Sequence, residues 1–181
     1  PVMGPVGIDS DEVNCRPALR KAFAWWYKKY FRVDLNPDNE ILPLMGSKEG
    51  IMHISMAFVN PGDEVLIPDP GYPTYSSVTN LVGGKVRKYD LESKNGWLPD
   101  LDSLENSDMS KVKLMWVNYP HMPTGTKGSM KLFEKLVKFS DKHGILLCND
   151  NPYSFILNKE YNSLLAVDGA KEISLELNSL S

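Results

Sequence analysis

The chain has 181 residues, of which 42% are hydrophobic and 24% are charged, with a formal net charge of -3. These values are typical of a globular protein that is large enough to bury a core, and they argue against a disordered chain. The slight negative charge argues against nucleic acid or a membrane surface as a partner, so we expect small molecules or other protein chains.

The two cysteines give no sign of a disulfide framework or a zinc site. Cys15 and Cys148 lie far apart, and Cys148 stands inside an apolar, strand-like run. We therefore predict no bound metal and a reducing, cytoplasmic location, and we find no secretory signal pattern or membrane-spanning run. The chain begins PVMGPVGI without an initiator Met and ends in the strand-like run ISLELNSLS, which favours an internal fragment.

The first third of the chain predicts two helices. Asn14 to Arg32 repeats apolar side chains at spacings of three and four, which is typical of an amphipathic packing helix. Lys48 to Val59 is apolar nearly all round, so we expect a fully buried helix. Its start, at residues 47–49, presents free backbone N–H groups that can bind an anion such as phosphate, although Ser47 is equally well explained as an N-cap.

A tyrosine held between prolines follows. Asp69 to Pro73 reads Asp-Pro-Gly-Tyr-Pro, and the prolines and glycine restrict the backbone around Tyr72. A ring held in one position can serve as a stacking platform for a flat ligand, although a Tyr that only packs under a turn is the simpler alternative. Beyond it we predict a helix from Val78 to Val82 and, from Glu92 to Ser110, a polar connection without chemistry.

Two apolar runs joined by one amphipathic segment form the centre of the chain. The runs KVKLMWV and ILLC each end in polar and turn residues, and the segment from Met130 to His143 is closed by Gly144. This order predicts a strand, a crossover helix and a parallel strand. Since ligands bind outside the carboxyl ends of parallel strands, we expect Asn118 to Gly125 and Asp150 to Tyr153 to face one site.

The predicted strand ends converge on one kind of ligand. A last strand, Ile173 to Leu177, ends in Asn-Ser-Leu-Ser and adds two serines to the helix start, Tyr72, Asn118 and Asp150. Together these groups indicate a pocket for a planar, phosphorylated, nitrogen-containing cofactor. A carboxylate opposite a ring nitrogen would raise the pKa of that nitrogen and favour its protonated form.

Five motifs, in this order and at roughly this spacing, resemble the large-domain motifs of the class I and II aminotransferases. They are GSKEGI, PDPGYPTY, NYPHMPTG, NDNPY and SLS, and they cover almost the whole chain. These fold-type I enzymes use pyridoxal 5'-phosphate (PLP). The resemblance implies an α/β fold in three layers, α/β/α, with a mostly parallel sheet and helices on both faces. It also implies that residues 1–181 are one incomplete PLP-binding domain, with a helical region at 1–40 and the sheet at 41–181, and that the small domain is absent.

The resemblance implies a role for each motif residue. Phosphate binding is implied for the residues at the helix start and after the last strand, namely Ser47, Lys48, Glu49 and Ser179. Tyr72 matches the aromatic ring that stacks on the pyridine, and Asp150 matches the carboxylate that pairs with the ring nitrogen and keeps the ring an electron sink. Tyr153 matches the hydroxyl donor to the phenolic oxygen, and Tyr75 matches a supporting position near the carboxylate.

Two departures from the family pattern matter. The family usually has Asn just before Pro-Thr-Gly, where it bonds the phenolic oxygen, but Met122 stands here, with Asn118 and His121 nearby. A thioether cannot donate a hydrogen bond, so the phenolic oxygen would rest on Tyr153 alone, and we count Asn118 among the cofactor-binding residues. The Schiff-base lysine would be the residue after Ser181, where the chain stops, so no catalytic residue is expected within it.

The implied function is amino transfer between an amino acid and a 2-oxo acid by a PLP-dependent homodimer, of which this chain alone would be inactive. A PLP-dependent C–S β-lyase shares these motifs and differs in releasing pyruvate and ammonia. A non-catalytic module that keeps the fold for binding or regulation would lack a lysine after Ser181. A nucleotide-binding α/β domain is disfavoured, because neither G-x-G-x-x-G nor G-x-x-x-x-G-K-S/T is found.

Overall fold

The computed structural model describes residues 2–5, 17–156 and 158–179. The strands are β1 (Val2–Pro5), β2 (Ile41–Leu44), β3 (Glu64–Asp69), β4 (Lys85–Asp90), β5 (Val112–Val117), β6 (Leu146–Asn151) and β7 (Ser174–Asn178). The helices are α1 (Pro17–Phe31), α2 (Ser47–Phe58), α3 (Pro73–Leu81), α4 (Leu101–Glu105), α5 (Met130–His143) and α6 (Ala170–Ile173), with 3-10 turns at Ser93–Asn95 and Leu164–Ala166. The predicted helix residues 14–16, including Cys15, and the predicted site residue Ser181 lie outside the described residues.

The seven strands form one sheet in the order β2-β1-β7-β6-β5-β3-β4, and each neighbouring pair runs parallel. In the register of the central strands, Val117 lies beside Asn149 and Asp150 lies beside Leu177. Because parallel strands end on the same side, the residues that follow β3, β5, β6 and β7 emerge along one edge. The predicted α/β fold with a mostly parallel sheet is confirmed.

Helices cover both faces of the sheet. On one face, Ile51 of α2 and Tyr75 of α3 pack in one buried cluster with alternate strand residues such as Trp116. On the other face, Phe133 of α5 packs in a second cluster with Met115 and its neighbours. Successive strand residues point to opposite faces, so the two clusters form separate apolar layers and confirm the three-layer arrangement.

The central crossover unit agrees with the sequence prediction. Strand β5, helix α5 and strand β6 follow in that order, and β5 and β6 pair in parallel. Ser129 caps the start of α5, where its hydroxyl accepts a hydrogen bond from the N–H of Leu132 at 3.1 Å. Gly144 closes the helix in the left-handed conformation with φ of 63°, which glycine adopts without strain.

Three of the differences from the predicted elements have a local cause. Helix α3 begins at Pro73, five residues earlier than expected, because proline suits the first helical position. The connection after β4 contains a short helix, α4, whose start is capped by the Asp100 side chain accepting from the N–H of Ser103 at 3.0 Å. Strand β7 begins at Ser174, since Ile173 ends α6.

Helix α2 is not the fully buried helix that its composition predicted. One side of it, including Ile51 and Ile54, is buried, but Met56 and Phe58 are 62% and 49% exposed. The helix packs on the sheet and on α3 with one face, so within the described residues its remaining apolar side chains are left uncovered. No helix within the described ranges is long and apolar enough to cross a membrane.

Candidate functional site

A cavity of about 200 Å³ lies at the carboxyl ends of the parallel strands. Its lining comes from the start of α2, the loop between β3 and α3 with the first turn of α3, the ends of β5 and β6 with their following loops, and the residue after β7. The lining residues are Ser47, Tyr72, Tyr75, Asn118, Met122, Asp150, Pro152, Tyr153 and Ser179. Five segments that are distant in sequence therefore meet at one edge of the sheet.

Asp150 supplies a carboxylate with two differently placed oxygens. Its side chain lies near the end of β6, 4% exposed, and its Oδ2 accepts a hydrogen bond from the hydroxyl of Tyr75 at 2.9 Å. Its Oδ1 is buried and has no hydrogen-bond partner in the described part of the chain. Burial raises the pKa of Asp150 to about 6, and the hydrogen bond from Tyr75 opposes this rise. A ligand that brings a positive charge or an N–H group would satisfy Oδ1.

Two tyrosines build one wall of the cavity. The ring of Tyr75 is fully buried and stacks on Trp116, with ring centroids 5.0 Å apart and ring planes 5° from parallel. Tyr72, the N-cap residue of α3, meets the ring of Tyr75 edge to face at 5.7 Å. Trp116 was not predicted from the sequence. A tryptophan in a buried strand gives no signal that distinguishes a ring supporting the site from a ring that only packs in the core.

Asn118 holds two parts of the site together. Its Nδ2 donates to the backbone oxygen of Asp150 at 2.6 Å, and its Oδ1 accepts from the N–H of Met122 at 2.8 Å. The loop that follows is tied to the Tyr72 loop by His121, whose Nε2 lies 3.2 Å from the backbone oxygen of Pro70. Because that oxygen can only accept, Nε2 carries the hydrogen. Asn118 thus connects the backbones of Asp150 and Met122 through hydrogen bonds, and it also lines the cavity.

Met122 and Tyr153 face each other at the cavity. The hydroxyl of Tyr153 donates to the thioether sulfur of Met122 at 3.5 Å. A thioether is a weak acceptor and offers no hydrogen to a ligand. On this side of the cavity, the donor available to a ligand oxygen is therefore the Tyr153 hydroxyl rather than residue 122.

The start of α2 differs from the expectation at two positions. Gly46 is the N-cap, so Ser47 is the first helical residue and lines the cavity. Lys48 is exposed and does not line the cavity. Glu49 also lies outside the lining, because its carboxylate turns back to accept a hydrogen bond from the N–H of Met45 at 2.6 Å. The side chains of these two residues thus lie outside the cavity lining. Among the first N–H groups of the helix, that of Glu49 donates to the backbone oxygen of Gly46 at 3.2 Å, and those of Ser47 and Lys48 come before the first intrahelical hydrogen bond.

Of the eleven residues predicted for the site, the structure brings eight into one cavity, namely Ser47, Tyr72, Tyr75, Asn118, Met122, Asp150, Tyr153 and Ser179. Pro152 also lines the cavity, and it lies in the range from Asp150 to Tyr153 that was expected to face the site. A flat ligand with a ring nitrogen for Asp150, an oxygen for Tyr153 and an anionic group for the helix start fits this set of donors and acceptors, and PLP carries all three groups.

Comparisons with known proteins point in the same direction. The sequence model of the family described as Aminotransferase class I and II matches residues 12–181. The LL-diaminopimelate aminotransferase of Dehalococcoides mccartyi is 46% identical over 172 residues, which cover 94% of this chain and 44% of that protein. The protein of the same name from Natranaerobius thermophilus is 48% identical over 165 residues, 90% of this chain and 43% of that protein.

A solved structure agrees with these sequence relatives. Substrate-bound BacF from Bacillus subtilis matches with a TM-score of 0.88 at 34% identity, over 92% of this chain and 42% of that chain. The chain thus spans less than half the length of the relatives that it matches.

Proposed function

The chain belongs to the class I and II aminotransferases, which depend on PLP, and on that premise we propose that it forms the PLP-binding part of an enzyme that moves an amino group between an amino acid and a 2-oxo acid. Residues 1–181 would then be part of one domain. The observation that carries the proposal is the meeting of eight predicted side chains at one cavity, among them Asp150, whose buried Oδ1 has no hydrogen-bond partner among the described residues.

Asp150 would act on the ring nitrogen of the cofactor. When bound, PLP supplies an electron sink for the charge left as the Cα–H bond of the amino donor breaks. A buried carboxylate opposite the ring nitrogen favours the protonated nitrogen, which strengthens that sink. Because Tyr75 already holds Oδ2, Oδ1 is the oxygen left to face the nitrogen.

The other side chains would hold the ring and its phosphate. Tyr72 would lie against the face of the ring, and the Tyr153 hydroxyl would donate to the phenolic oxygen, which is a stronger acceptor than the sulfur of Met122. The hydroxyls of Ser47 and Ser179 and the first N–H groups of α2 would bind the phosphate, since a helix start carries partial positive charge.

The amino acid substrate that we propose is LL-diaminopimelate. This proposal is supported by the name of the two relatives that are 46% and 48% identical to this chain, a higher identity than the 34% of the BacF structure. The cavity residues would contact the ring and the phosphate of the cofactor. The groups that would distinguish one amino acid substrate from another are not among them.

We propose that the working enzyme is a homodimer in which α2 meets a second copy. Met45, Met56 and Phe58 are 63%, 62% and 49% exposed, and they lie just before α2 and in its last turn. We take these exposed apolar side chains as part of the interface, because exposed apolar surface often marks a site of protein association. The first residue of α2 lines the cavity, so a second copy on this surface would border the cofactor site.

We also propose a cytoplasmic location. Cys148 is a free thiol, and burial raises the pKa of this thiol, so it stays protonated and serves as a packing residue. A free thiol is usual for proteins of reducing compartments.

The test uses the full-length protein, PLP, LL-diaminopimelate and a 2-oxo acid. We expect an absorbance change on addition of PLP and PLP-dependent formation of a new amino acid from the 2-oxo acid. Asp150→Asn should lower that rate at least a hundredfold, whereas Lys138→Ala, on the exposed side of α5, should leave it unchanged. Release of pyruvate and ammonia would instead indicate a β-lyase, and PLP binding without either reaction would indicate a non-catalytic module.

A further inference from the structure

Glu176 is a buried carboxylate within the sheet. It lies in β7 with 0% exposure, and its two oxygens accept four hydrogen bonds. Oε1 accepts from the hydroxyls of Tyr27 at 3.0 Å and Ser163 at 2.8 Å. Oε2 accepts from Nδ2 of Asn149 at 3.0 Å and from the backbone N–H of Leu164 at 2.9 Å. All four donors are uncharged, so the carboxylate is held by hydrogen bonds alone.

Hydrogen bonds connect the donors of Glu176 to the ends of β5, β6 and β7, three of the strands whose ends form the cofactor cavity. Asn149, which precedes Asp150 in β6, accepts a hydrogen bond from the N–H of Tyr119 through its Oδ1 at 3.0 Å. Tyr119 follows Asn118 at the end of β5. In β7, Asn178 donates from its Nδ2 to the hydroxyl of Tyr27 at 3.3 Å.

The side chain of Glu176 lies on the face of the sheet opposite to the side chain of Asp150. Glu176 lies beside Asn149 in the strand register, and Asp150 lies beside Leu177. Since successive strand residues alternate between faces, Glu176 and Asn149 point to the face of α1, away from the side chain of Asp150. The link from Glu176 to the cavity therefore runs through the backbones of the strands that carry Asn118, Asp150 and Ser179.

We propose that Glu176 is a positioning residue, which sets the relative positions of the ends of β5, β6 and β7 and thereby the geometry of the cofactor cavity. This inference rests on the proposed function only in taking the cavity as the PLP site. It assigns a role to a side chain that does not line the cavity, and it predicts that the hydrogen bonds of Glu176 matter more than its charge.

Two substitutions in the full-length, PLP-loaded protein separate hydrogen bonding from charge. Glu176→Leu removes all four acceptor contacts. It leaves the backbone N–H of Leu164 and one N–H of the Asn149 amide unpaired, while Nδ2 of Asn149 keeps its contact with the backbone oxygen of Tyr119 at 3.5 Å. We expect the dissociation constant for PLP to rise at least tenfold and the visible circular dichroism of bound PLP to lose at least half its amplitude. In Glu176→Gln, the remaining carbonyl can accept from both N–H donors, and the hydroxyls of Tyr27 and Ser163 can rotate to accept from the amide. Both readouts should then stay within threefold of the unsubstituted protein.

Leu147→Ala is the matched control. Leu147 is fully buried, lies two residues before Asn149 in β6 and points to the same face of the sheet, but it has no part in the hydrogen-bonded chain. It should lower stability and leave both PLP readouts within threefold. Equal effects of Leu147→Ala and Glu176→Leu, or no effect of Glu176→Leu, would overturn the inference.

A second variant covers the case in which Glu176→Leu does not fold. Asn149→Ala cuts the connection between Glu176 and Tyr119 but leaves Glu176 three donors. It should weaken PLP binding and reduce the circular dichroism signal in the same direction, and an unchanged signal would refute the positioning role. If the unsubstituted protein itself binds no PLP, the proposed function fails and the inference fails with it, an outcome distinct from a defect confined to the variants.

Discussion

At the scale of single residues, the two oxygens of Asp150 explain why this side chain destabilises the ligand-free fold and how it can bind a cofactor. Oδ2 is satisfied by Tyr75, while Oδ1 is buried without a partner in the described residues. An ionised carboxylate in such a place is unfavourable until a positive charge meets it. The residue is therefore prepared for a cationic ring nitrogen at the expense of the stability of the ligand-free fold.

Asp150→Asn should stabilise the PLP-free protein near neutral pH. The pKa of Asp150 is raised in the folded state from 3.8 to about 6, so between these values the folded state binds more protons than the unfolded state, and stability falls as pH rises. The shift of about two pH units corresponds to roughly 3 kcal/mol. Urea unfolding should show that the stability of the variant relative to the unsubstituted protein increases by about that amount from pH 3 to pH 7. A difference that is independent of pH would contradict the burial of this charge.

Met122→Asn should tighten PLP binding about tenfold. An amide at position 122 can donate to the phenolic oxygen of PLP, and a hydrogen bond to a charged group contributes about 1.5 kcal/mol or more. The backbone of residue 122 is already held by Asn118, so the substitution changes the side chain alone. Met122→Leu, which has a similar size and no donor, should remain within threefold when the two are compared by PLP titration. Equal affinities for the Asn and Leu variants would show that no donor reaches the oxygen.

The sequence was informative where a residue type carries its own chemistry. Asp150, Tyr153 and Ser179 follow strands or end them, and the rule for parallel sheets was enough to predict that they face one cavity. The orientation of Glu49 was not predictable, because a carboxylate at a helix start can meet a ligand or turn back to its own backbone, and here it binds the N–H of Met45.

At the scale of the elements, helix α5 shows why the central crossover was predictable. Its apolar side chains recur with the helical period, a serine caps its start and a glycine ends it, so local preferences and packing agree. Helix α2 lacked such agreement. Its composition predicted burial on all sides. In the structure the sheet and α3 cover one face of the helix, because the extent of burial depends on tertiary packing.

Ser129→Ala should destabilise the fold by about 1 kcal/mol, because it removes the acceptor for the N–H of Leu132 at the start of α5. Ser129→Asp keeps an acceptor and adds a negative charge near the positive end of the helix, so it should be neutral or stabilising. Thermal unfolding of the two variants checks this. Equal losses for both would mean that the cap does not contribute to stability.

At the scale of the whole molecule, the cavity joins residues from position 47 to position 179 and depends on the complete order of the strands. The sequence predicted parallel strands but not their order. The pairing of β7 with β6 and of β3 with β5 is decided by long-range packing that no local pattern encodes.

Phe58→Glu should weaken self-association of the full-length protein at least a hundredfold. The side chain is half exposed in the single chain, so the stability of the fold should fall by no more than about 1.5 kcal/mol, half the value for a fully buried phenylalanine. A charge buried between two copies is strongly unfavourable. Leu98→Glu is the control, since Leu98 is a partly exposed apolar residue that contributes to a cavity beside α4 and α5. Sedimentation velocity measures both. Dimers that persist in Phe58→Glu would show that the partner docks elsewhere.

In the described part of the chain, strand β4 is the edge of the sheet opposite β2, and its charged side chains affect aggregation at high protein concentration. Lys85, Lys88 and Asp90 are exposed along it, and Lys88 pairs with Asp69 at 2.9 Å. An edge strand offers unpaired backbone groups to any other strand, and charged side chains oppose such pairing. The exposed charged side chains of β4 thus oppose edge-to-edge aggregation of the folded chain into cross-β assemblies.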